Sequence, residues 1–306
     1  MTDKLEKQIN EYFVGKEDVV RNVLICLLAG GHILLEDVPG VGKTTLARTL
    51  ASSIDASFKR ISFTPDTLPT DVTGLSVYNM KTGEFEYREG SVMAQIVLAD
   101  EINRTSPRTQ SALLEAMAET KVTVDGVSYA LPDPFMVIAT QNPVEFMGTY
   151  PLPEAQMDRF MMKLSIGYPD EANEIQMAKN EISGKTVETV KAVCNAQDII
   201  NAREEVAKVR VTDGILGYAR EIVENTRTES RFVVGASPRA TIALVKASCA
   251  HAYLEGRDFV KPDDVKAVAM NVLLHRLTLG TESKISREDP AAILKSLIVA
   301  AKIPME

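Results

Sequence analysis

The sequence of 306 residues lacks the features of a membrane or secreted protein. No apolar run approaches the roughly 20 residues that a membrane-spanning helix needs, and residues 1–6 are too polar for the start of a signal peptide. Only three cysteines are present, Cys26, Cys194 and Cys249, and they lie far apart in apolar helical contexts. We therefore expect reduced thiols in the core and a cytoplasmic protein.

Basic residues are outnumbered by acidic ones, with 34 Lys and Arg against 42 Asp and Glu and a formal net charge of −8. Strong non-specific binding to nucleic acid needs a basic face, and the sequence has no obvious one. We therefore expect no nucleic-acid partner, although the overall charge does not exclude a locally basic pore inside an acidic oligomer. The sequence also has no low-complexity tract and no internal repeat, which indicates a globular chain. Its 306 residues are enough for two domains.

The first half of the sequence alternates short apolar strands with helices, whereas the second half is mainly helical. Strands are predicted at 32–35, 59–63, 95–99 and 135–139, and helices of the second half at 196–209, 240–254, 261–277 and from 289 onward. Continuous apolar strands between helices are typical of a parallel sheet that is covered on both faces. The sequence therefore predicts an α/β domain over 1–168 and an all-α domain over 169–306.

The most informative segment is 33–45, in which an apolar strand runs into a glycine-rich turn and then into a helix. This order places backbone N–H groups and a helix N-terminus around one point, which suits a polyphosphate. Lys43 is expected to reach the β- and γ-phosphates, and the Thr44 hydroxyl to bind Mg²⁺. The alternative is a Gly-Lys-Thr sequence in an ordinary surface turn, which the flanking strand and helix disfavour.

The loop departs at one position from the pattern G-x-x-x-x-G-K-[ST], because Asp37 stands where glycine is expected. Gly40 and Gly42 still keep the turn permissive where the backbone must approach a ligand. We assign the loop and the first turn of the helix to nucleotide binding: Pro39, Gly40, Val41, Gly42, Lys43, Thr44 and Thr45.

Two adjacent acids, Asp100 and Glu101, follow the predicted strand 95–99. The carboxyl ends of parallel strands lie at the edge where open α/β sheets bind ligands. Asp100 is therefore expected to hold Mg²⁺ through water, and Glu101 to orient or deprotonate an attacking water. Adjacent acids after a strand are common by chance, so this interpretation depends on Lys43 and Thr44 upstream.

An amide and two arginines are further candidates for the same chemistry. Asn142 follows the strand 135–139 and can bind the γ-phosphate or the attacking water, although the Asn142-Pro143 sequence also favours a simple turn. Arg159 lies just past the last predicted strand, and Arg239 begins a helix. Either arginine can stabilise charge on the γ-phosphate in the transition state. A lone arginine is more often a solvated surface residue, so neither is assigned without its neighbours.

Two short insertions, 72–89 and 121–131, interrupt the first domain and are predicted to form β-hairpins. The second contains Asp125-Gly126 between alternating apolar residues, which is a strong hairpin signal. Spacing alone leaves open whether these hairpins are functional or are plain surface loops.

Taken together, five segments resemble the motifs of the MoxR family of AAA+ ATPases. They cover nearly the whole chain in the right order, and they are 36–44, 99–104, 139–143, 153–160 and 235–239. Asp37 is usual in that family, so the departure in the loop supports the resemblance. The resemblance implies an AAA+ parallel sheet core with helices on both faces, followed by an all-α lid domain.

The resemblance also implies roles for individual residues. Asn142 would be sensor 1, Arg159 the arginine finger supplied in trans, and Arg239 sensor 2 on the lid. Arg104 and Arg108 are weaker candidates for a contact between subunits, and which of the three arginines acts in trans stays open.

By the same resemblance, the segment around Gly15 would pack on the adenine, and the two hairpins would face the pore of a ring. The ring is usually a hexamer. The resemblance implies ATP as the substrate and Mg²⁺ as its metal ion. The preference for ATP over GTP rests on the resemblance alone.

Three function classes follow from these motifs. The first is an ATP-driven chaperone that remodels, matures or activates client proteins, commonly with a separate partner that carries a von Willebrand factor A domain. The second is the ATPase subunit of a metal chelatase, which shares the insertions and the lid. The third is a nucleic-acid motor or transcription activator, which the acidic balance and the lack of a Gly-Ala-Phe-Thr-Gly-Ala loop disfavour.

Overall fold

The computed structural model describes residues 1–142 and 149–304, so Pro143 of the predicted sensor motif lies outside the described residues. The chain divides into two compact units. Unit 1 comprises Met1–Arg21, His32–Pro153 and Leu164–Ile200, and unit 2 comprises Asn22–Gly31, Glu154–Lys163 and Asn201–Glu306. The division of the chain at residue 168 stays a prediction.

Helices and strands alternate in the first half of the chain. The strands are β1 (Ile33–Glu36), β2 (Phe58–Ser62), β3 (Gly74–Asn79), β4 (Glu84–Glu89), β5 (Ile96–Asp100), β6 (Lys121–Val124), β7 (Val127–Ala130), β8 (Met136–Gln141), β9 (Met162–Leu164), β10 (Phe232–Val234) and β11 (Thr278–Leu279). The helices are α1 (Thr2–Tyr12), α2 (Glu17–Leu28), α3 (Lys43–Ser53), α4 (Pro69–Thr73), α5 (Pro107–Glu119), α6 (Glu154–Met157), α7 (Glu171–Ile182), α8 (Ala196–Ala207), α9 (Asp213–Thr228), α10 (Pro238–Leu254), α11 (Pro262–Leu273), α12 (Thr281–Ile285) and α13 (Pro290–Ala300).

The central sheet has five strands in the order β2-β5-β8-β1-β9, and β1, β2, β5 and β8 pair in parallel. Residues 33–35 of β1 and 96–99 of β5 are fully buried, as expected for strands without a solvent-facing side. The four predicted strands are confirmed to within one or two residues at either end. The α/β fold class with a parallel sheet is therefore confirmed.

The strand order brings the polar residues of the motifs to one edge of the sheet. β8 lies between β1 and β5, with Glu36 opposite Gln141 and Ala99 opposite Ala139. All these strands run in the same direction, so Asp37, Asp100 and Asn142 come at the carboxyl ends of three neighbouring strands.

Both predicted hairpins form. β3 and β4 pair in antiparallel register, as do β6 and β7. Asp125 and Gly126 both have positive φ, 49° and 82°, which a two-residue hairpin turn of this kind requires. The hairpins also contact each other, because the rings of Tyr87 and Tyr129 stack with centroids 3.9 Å apart.

Unit 2 is mainly helical, and the predicted helices that begin near residues 240, 261 and 289 are confirmed as α10, α11 and α13 to within two residues at their starts. Proline occupies the first turn of α10, α11 and α13, where its missing N–H costs nothing. The elements predicted for the second half of the chain did not include α7, α9 or α12, nor the short antiparallel sheet that β10 and β11 form. Strands of three and two residues are too short to show a recognisable period-2 pattern.

The cysteines are free thiols, with Cys26 buried and the other two half-buried. Burial raises the pKa of Cys194 and of Cys249 to about 11, so neither is a nucleophile near neutral pH. Among the residues that the structure describes, no helix is both long and apolar enough to cross a bilayer.

Candidate nucleotide-binding site

The glycine-rich loop joins β1 to α3 with a backbone that only glycine adopts easily. Gly40 and Gly42 have φ of 87° and 91°. Gly42 caps α3 without a side-chain hydrogen bond to the first turn, so the N–H groups of that turn are open to an anion. A Cβ on Gly42 would lie 3.1 Å from the Phe13 ring, which gives a second reason for glycine there.

Two adjoining cavities of unit 1 meet at this loop. A polar cavity of about 450 Å³ is lined by Pro39, Gly40, Gly42, Lys43, Thr44, Thr45, Arg60, Ser62, Asp100 and Glu101. A more apolar one of about 220 Å³ shares Gly40, Gly42 and Thr45, and its other walls include Phe13, Val14, Val41, Ile166 and Met177. A polar and an apolar chamber on either side of one loop fit the phosphates and the base of a nucleotide.

Every loop residue assigned from the sequence lines one cavity or both, whereas Gly15 and Arg239, which were also predicted to bind the nucleotide, line neither. The neighbours of Gly15, Val14 and Lys16, line the apolar cavity. Gly15 itself has a φ of 77°, and a Cβ there would collide with the side chain of Asn173. The glycine therefore permits close packing of this segment against α7.

Lys43 points into the site. Its Nζ donates to the carbonyl oxygen of Asp37 at 2.7 Å. Burial lowers the pKa of Lys43, and the carboxylates of Asp37, Asp100 and Glu101 act in the opposite direction. The ammonium thus lies near three carboxylates at the carboxyl ends of β1 and β5, where an incoming phosphate can replace the Asp37 carbonyl as its partner.

The structure explains why aspartate stands at position 37. The buried carboxylate of Asp37 accepts hydrogen bonds from the Ile166 N–H at 2.6 Å, the Gly167 N–H at 3.1 Å and the Ser165 hydroxyl at 2.9 Å. Ile166 and Gly167 form a wall of the apolar cavity. Asp37 therefore ties the phosphate loop to the opposite wall of the neighbouring chamber.

Thr140 on β8 contacts both Asp100, the last residue of β5, and Glu101, which follows it. Its hydroxyl donates to Asp100 Oδ1 and accepts the backbone N–H of Glu101, each at 2.8 Å. Thr140 is completely buried, whereas the acids face the polar cavity. This contact fixes where Asp100 and Glu101 stand relative to the phosphate loop.

Each acid also pairs with an arginine. Arg60 on β2 binds Asp100 Oδ2 through Nη2 at 2.5 Å and Nε at 3.2 Å. Arg104 Nη1 lies 2.7 Å from Glu101 Oε2. Arg60 lines the polar cavity itself, so this site contains a cation from its own chain that sequence reasoning missed.

Asn142 is buried, with 6% of its surface exposed, and follows the last residue of β8 directly. β8 lies between β1 and β5, so this position is between the phosphate loop and the acids, as the sequence predicts for a sensing amide.

The two candidate arginines both belong to unit 2 and are exposed there. The residue before Arg159, Asp158, pairs with Arg239 at 3.8 Å and accepts the Ser237 hydroxyl at 3.0 Å. The buried Arg276 also binds Asp158, at 2.7 Å, and donates to the carbonyl of Phe160 at 2.7 Å. The segment that carries Arg159 and the helix start that carries Arg239 are thus held by one carboxylate.

No group of three or more metal-binding side chains occurs among residues 1–142 and 149–304. Mg²⁺ does not require one, because it commonly binds one or two protein oxygens together with water and substrate phosphates. Thr44 and Asp100 line the same polar cavity, so their oxygens suit that mode of binding.

Sequence reasoning missed Arg60, Thr140, Asp158 and Arg276. Asp100 and Glu101 could be found because they end an apolar strand, whereas Thr140 contacts them from 40 positions away. Thr140 does lie in the quoted 139–143 segment, so its place at a strand end was the only available signal. No local pattern marks Arg276 as the partner of a residue 118 positions earlier.

Comparison with known proteins places this architecture in the AAA+ class. The model of the ATPase family associated with various cellular activities (AAA) matches residues 32–162, and the AAA lid domain model matches 224–297. The Bacillus subtilis protein YeaC is 53% identical over 99% of this chain and 95% of its own length.

Chaperone MoxR1 of Mycobacterium tuberculosis is 38% identical over 97% of this chain and 81% of its own length. The crystal structure of an ATPase candidate from Cytophaga hutchinsonii superposes with a TM-score of 0.92 at 38% identity, covering 99% and 94% of the two chains. The protein belongs to the MoxR family of AAA+ ATPases.

Proposed function

We propose that this protein hydrolyses ATP and uses the energy for chaperone-like remodelling, maturation or activation of client protein complexes. One observation carries the proposal: Lys43 and Thr44 of the phosphate loop line the same polar cavity as Asp100 and Glu101. Phosphate binding needs only Lys43 and Thr44. Hydrolysis also needs a group that holds the metal and one that orients the water, which are the roles proposed for Asp100 and Glu101.

In this proposal the base occupies the apolar cavity and the phosphates the polar one. The loop N–H groups and the N-terminus of α3 bind the phosphates, and Lys43 leaves the Asp37 carbonyl to contact the β- and γ-phosphates. Thr44 and Asp100 would hold Mg²⁺, which when bound would supply positive charge beside the phosphates.

Glu101 orients the attacking water or takes its proton, and Asn142 binds that water or the γ-phosphate. Glu101 suits this role because its backbone is fixed by Thr140 while 28% of its side chain stays exposed toward the cavity. Asn142 stands at the end of the strand between the loop and the acids.

Arg159 is proposed to act on the γ-phosphate of a neighbouring subunit, in a ring that is most simply a hexamer. Its exposure and its firm support through Asp158 and Arg276 suit a side chain that must reach another chain. Arg239 shares Asp158 with this segment, so we propose that the two arginines are positioned together and move together.

The client-facing surface is proposed to be the β3–β4 hairpin, supported by the β6–β7 hairpin. Near its tip, Tyr78, Met80 and Phe85 are 52%, 92% and 73% exposed. Large apolar side chains exposed together are typical of a surface that binds another protein. A cytoplasmic setting and a separate von Willebrand factor A domain partner complete the proposal.

Turnover by the purified full-length chain tests the proposal. The wild-type protein should release phosphate from ATP with Mg²⁺, Lys43→Ala should lose nucleotide binding, and Glu101→Gln should bind ATP without turnover. Proteins that stay bound to the Glu101→Gln variant in ATP identify the client. Phosphate release by Glu101→Gln at the wild-type rate would refute the role of Glu101.

A further inference from the structure

The Glu101 carboxylate is held by a residue of its own turn. A short 3-10 turn, Ile102–Arg104, follows Glu101 directly. The Arg104 N–H donates to the Glu101 carbonyl at 2.9 Å, which closes the turn. The closed turn brings the Arg104 guanidinium back to the Glu101 carboxylate, with Nη1 and Oε2 2.7 Å apart.

The backbone of Glu101 is fixed in a conformation that non-glycine residues seldom adopt. Its φ and ψ are 57° and 52°, in the left-handed region. The Thr140 hydroxyl accepts the Glu101 N–H from the neighbouring strand and stabilises this geometry. Strained backbone that the surroundings maintain is concentrated at switch and active-site positions. Here the backbone is fixed, so the side chain is the part that can change partners.

The ion pair is of a kind that breaks readily. Glu101 and Arg104 expose 28% and 44% of their side chains, and exposed pairs at this spacing are worth little because water and salt compete for both charges. A carboxylate bonded to a guanidinium is a poorer acceptor for a water proton. The ion pair is therefore weak enough to open. It is also strong enough to reduce the fraction of molecules in which the Glu101 carboxylate is free to accept a proton from water.

We propose that Arg104 is a positioning residue that restrains Glu101 until a nucleoside triphosphate binds and then releases it. The inference rests on the proposed function of Glu101 in orienting the attacking water. The weaker expectation that Arg104 contacts a neighbouring subunit stays a prediction, whereas the ion pair within its own turn favours the restraining role.

Linkage gives the restraint a consequence for binding. A ligand shifts an equilibrium only by binding one state better than the other. If a triphosphate favours released Glu101, part of its binding energy breaks the Arg104 contact, and removing Arg104 must tighten triphosphate binding. A diphosphate lacks the γ-phosphate beside which the water is positioned, so its affinity should not change.

Arg104→Ala tests both consequences. Its kcat at saturating ATP should stay close to that of the wild type, because the bound triphosphate has already released Glu101 there. Its Kd for a non-hydrolysable ATP analogue with Mg²⁺ should fall about two- to fivefold, the range that an exposed ion pair can supply, and its kcat/KM for ATP should rise by the same factor. Its Kd for ADP should equal that of the wild type, which also verifies that the variant is folded.

Three variants serve as controls. Arg104→Lys keeps the charge and should stay close to wild type. Lys208→Ala breaks another exposed pair of the same spacing and length, Lys208 to Glu205 at 2.7 Å, and should change neither kcat nor Kd. Glu101→Gln/Arg104→Ala should show no turnover, because any increase in activity caused by Arg104→Ala depends on the Glu101 carboxylate.

Two results for Arg104→Ala would overturn the inference. A fall in kcat of a thousandfold or more, roughly what loss of an arginine finger causes, would assign Arg104 to a neighbouring site. Unchanged analogue affinity and an unchanged kcat/KM would make the pair a passive surface contact. Either result leaves the proposed ATPase function intact, which fails separately if Glu101→Gln alone retains turnover.

Discussion

The Asp37 carboxylate accepts the backbone N–H of Ile166 at 2.6 Å, across 129 positions of the chain. With Ser165 and Gly167 it makes three hydrogen bonds, all from a buried position where water cannot substitute. An aspartate that departs from the general phosphate-loop pattern is thereby the residue that joins the phosphate loop to the wall of the apolar cavity.

Restoring the general pattern should therefore harm the protein. Asp37→Gly leaves the buried N–H of Ile166 and the half-buried N–H of Gly167 without an acceptor, and we expect a loss of about 2–4 kcal/mol in the free energy of unfolding. Nucleotide affinity should also fall, because Ile166 and Gly167 line the cavity. Urea denaturation and nucleotide titration measure both effects. Asp66→Gly, at an exposed aspartate, is the control, and equal stability of the two variants would contradict the role of Asp37.

Local patterns predicted the fold well, and the reason is visible in β5. Residues 96–99 are apolar and buried, and the candidate site residues begin at Asp100 where the strand reaches the sheet edge. Strand ends are thus both structural and functional landmarks, which made Asp100, Glu101 and Asn142 accessible from the sequence.

Side-chain partners far apart in the chain were not predictable in this way. Asp37 and Ile166, or Asp158 and Arg276, meet only once the strands and helices are assembled. Their residue types are common, and their spacing carries no period. The departure at Asp37 was visible in the sequence, but its physical cause required coordinates.

Thr140 gives a test of how far the acids depend on their support. Thr140→Val keeps the shape of this buried side chain but removes the hydroxyl that contacts Asp100 and Glu101. Turnover should fall roughly 10- to 100-fold, as for other residues that orient a metal or catalytic group. Nucleotide affinity should change little, since the loop contacts remain. Thr140→Ser keeps the hydroxyl and should retain most activity; equal loss in both variants would point to packing instead.

His275 should make stability depend on pH. It is buried, and its Nε2 lies 3.1 Å from the Phe160 carbonyl oxygen, so it donates as a neutral imidazole. Burial, and secondarily the charge of Arg276, lowers the pKa of His275 from 6.5 to about 3. The unfolded chain then binds more protons between these values. Stability is fully present above pH 6.5 and falls below it, by up to about 1.4 kcal/mol per pH unit.

Urea midpoints of the wild type and of His275→Gln, measured from pH 7.5 to 4.5, check this dependence. Glutamine can donate to the same carbonyl but does not titrate in this range. The wild type should lose stability more steeply than the variant below pH 6.5, and the common carboxylate contributions cancel in the difference. Parallel curves would show that His275 is protonated in the folded protein.

The proposed role of Arg159 predicts that two inactive variants restore each other. Arg159→Ala should bind ATP normally yet lose roughly 10³- to 10⁵-fold in turnover, because the charge on the γ-phosphate is no longer compensated. Lys43→Ala should fail to bind ATP but still present an intact Arg159. In a mixed ring, an Arg159→Ala subunit can receive the arginine of a Lys43→Ala neighbour, so mixing the two should recover turnover.

Mixing Arg159→Ala with Glu101→Gln/Arg159→Ala supplies no arginine and should recover none. Turnover in Arg159→Ala alone at the wild-type rate would remove Arg159 from the reaction.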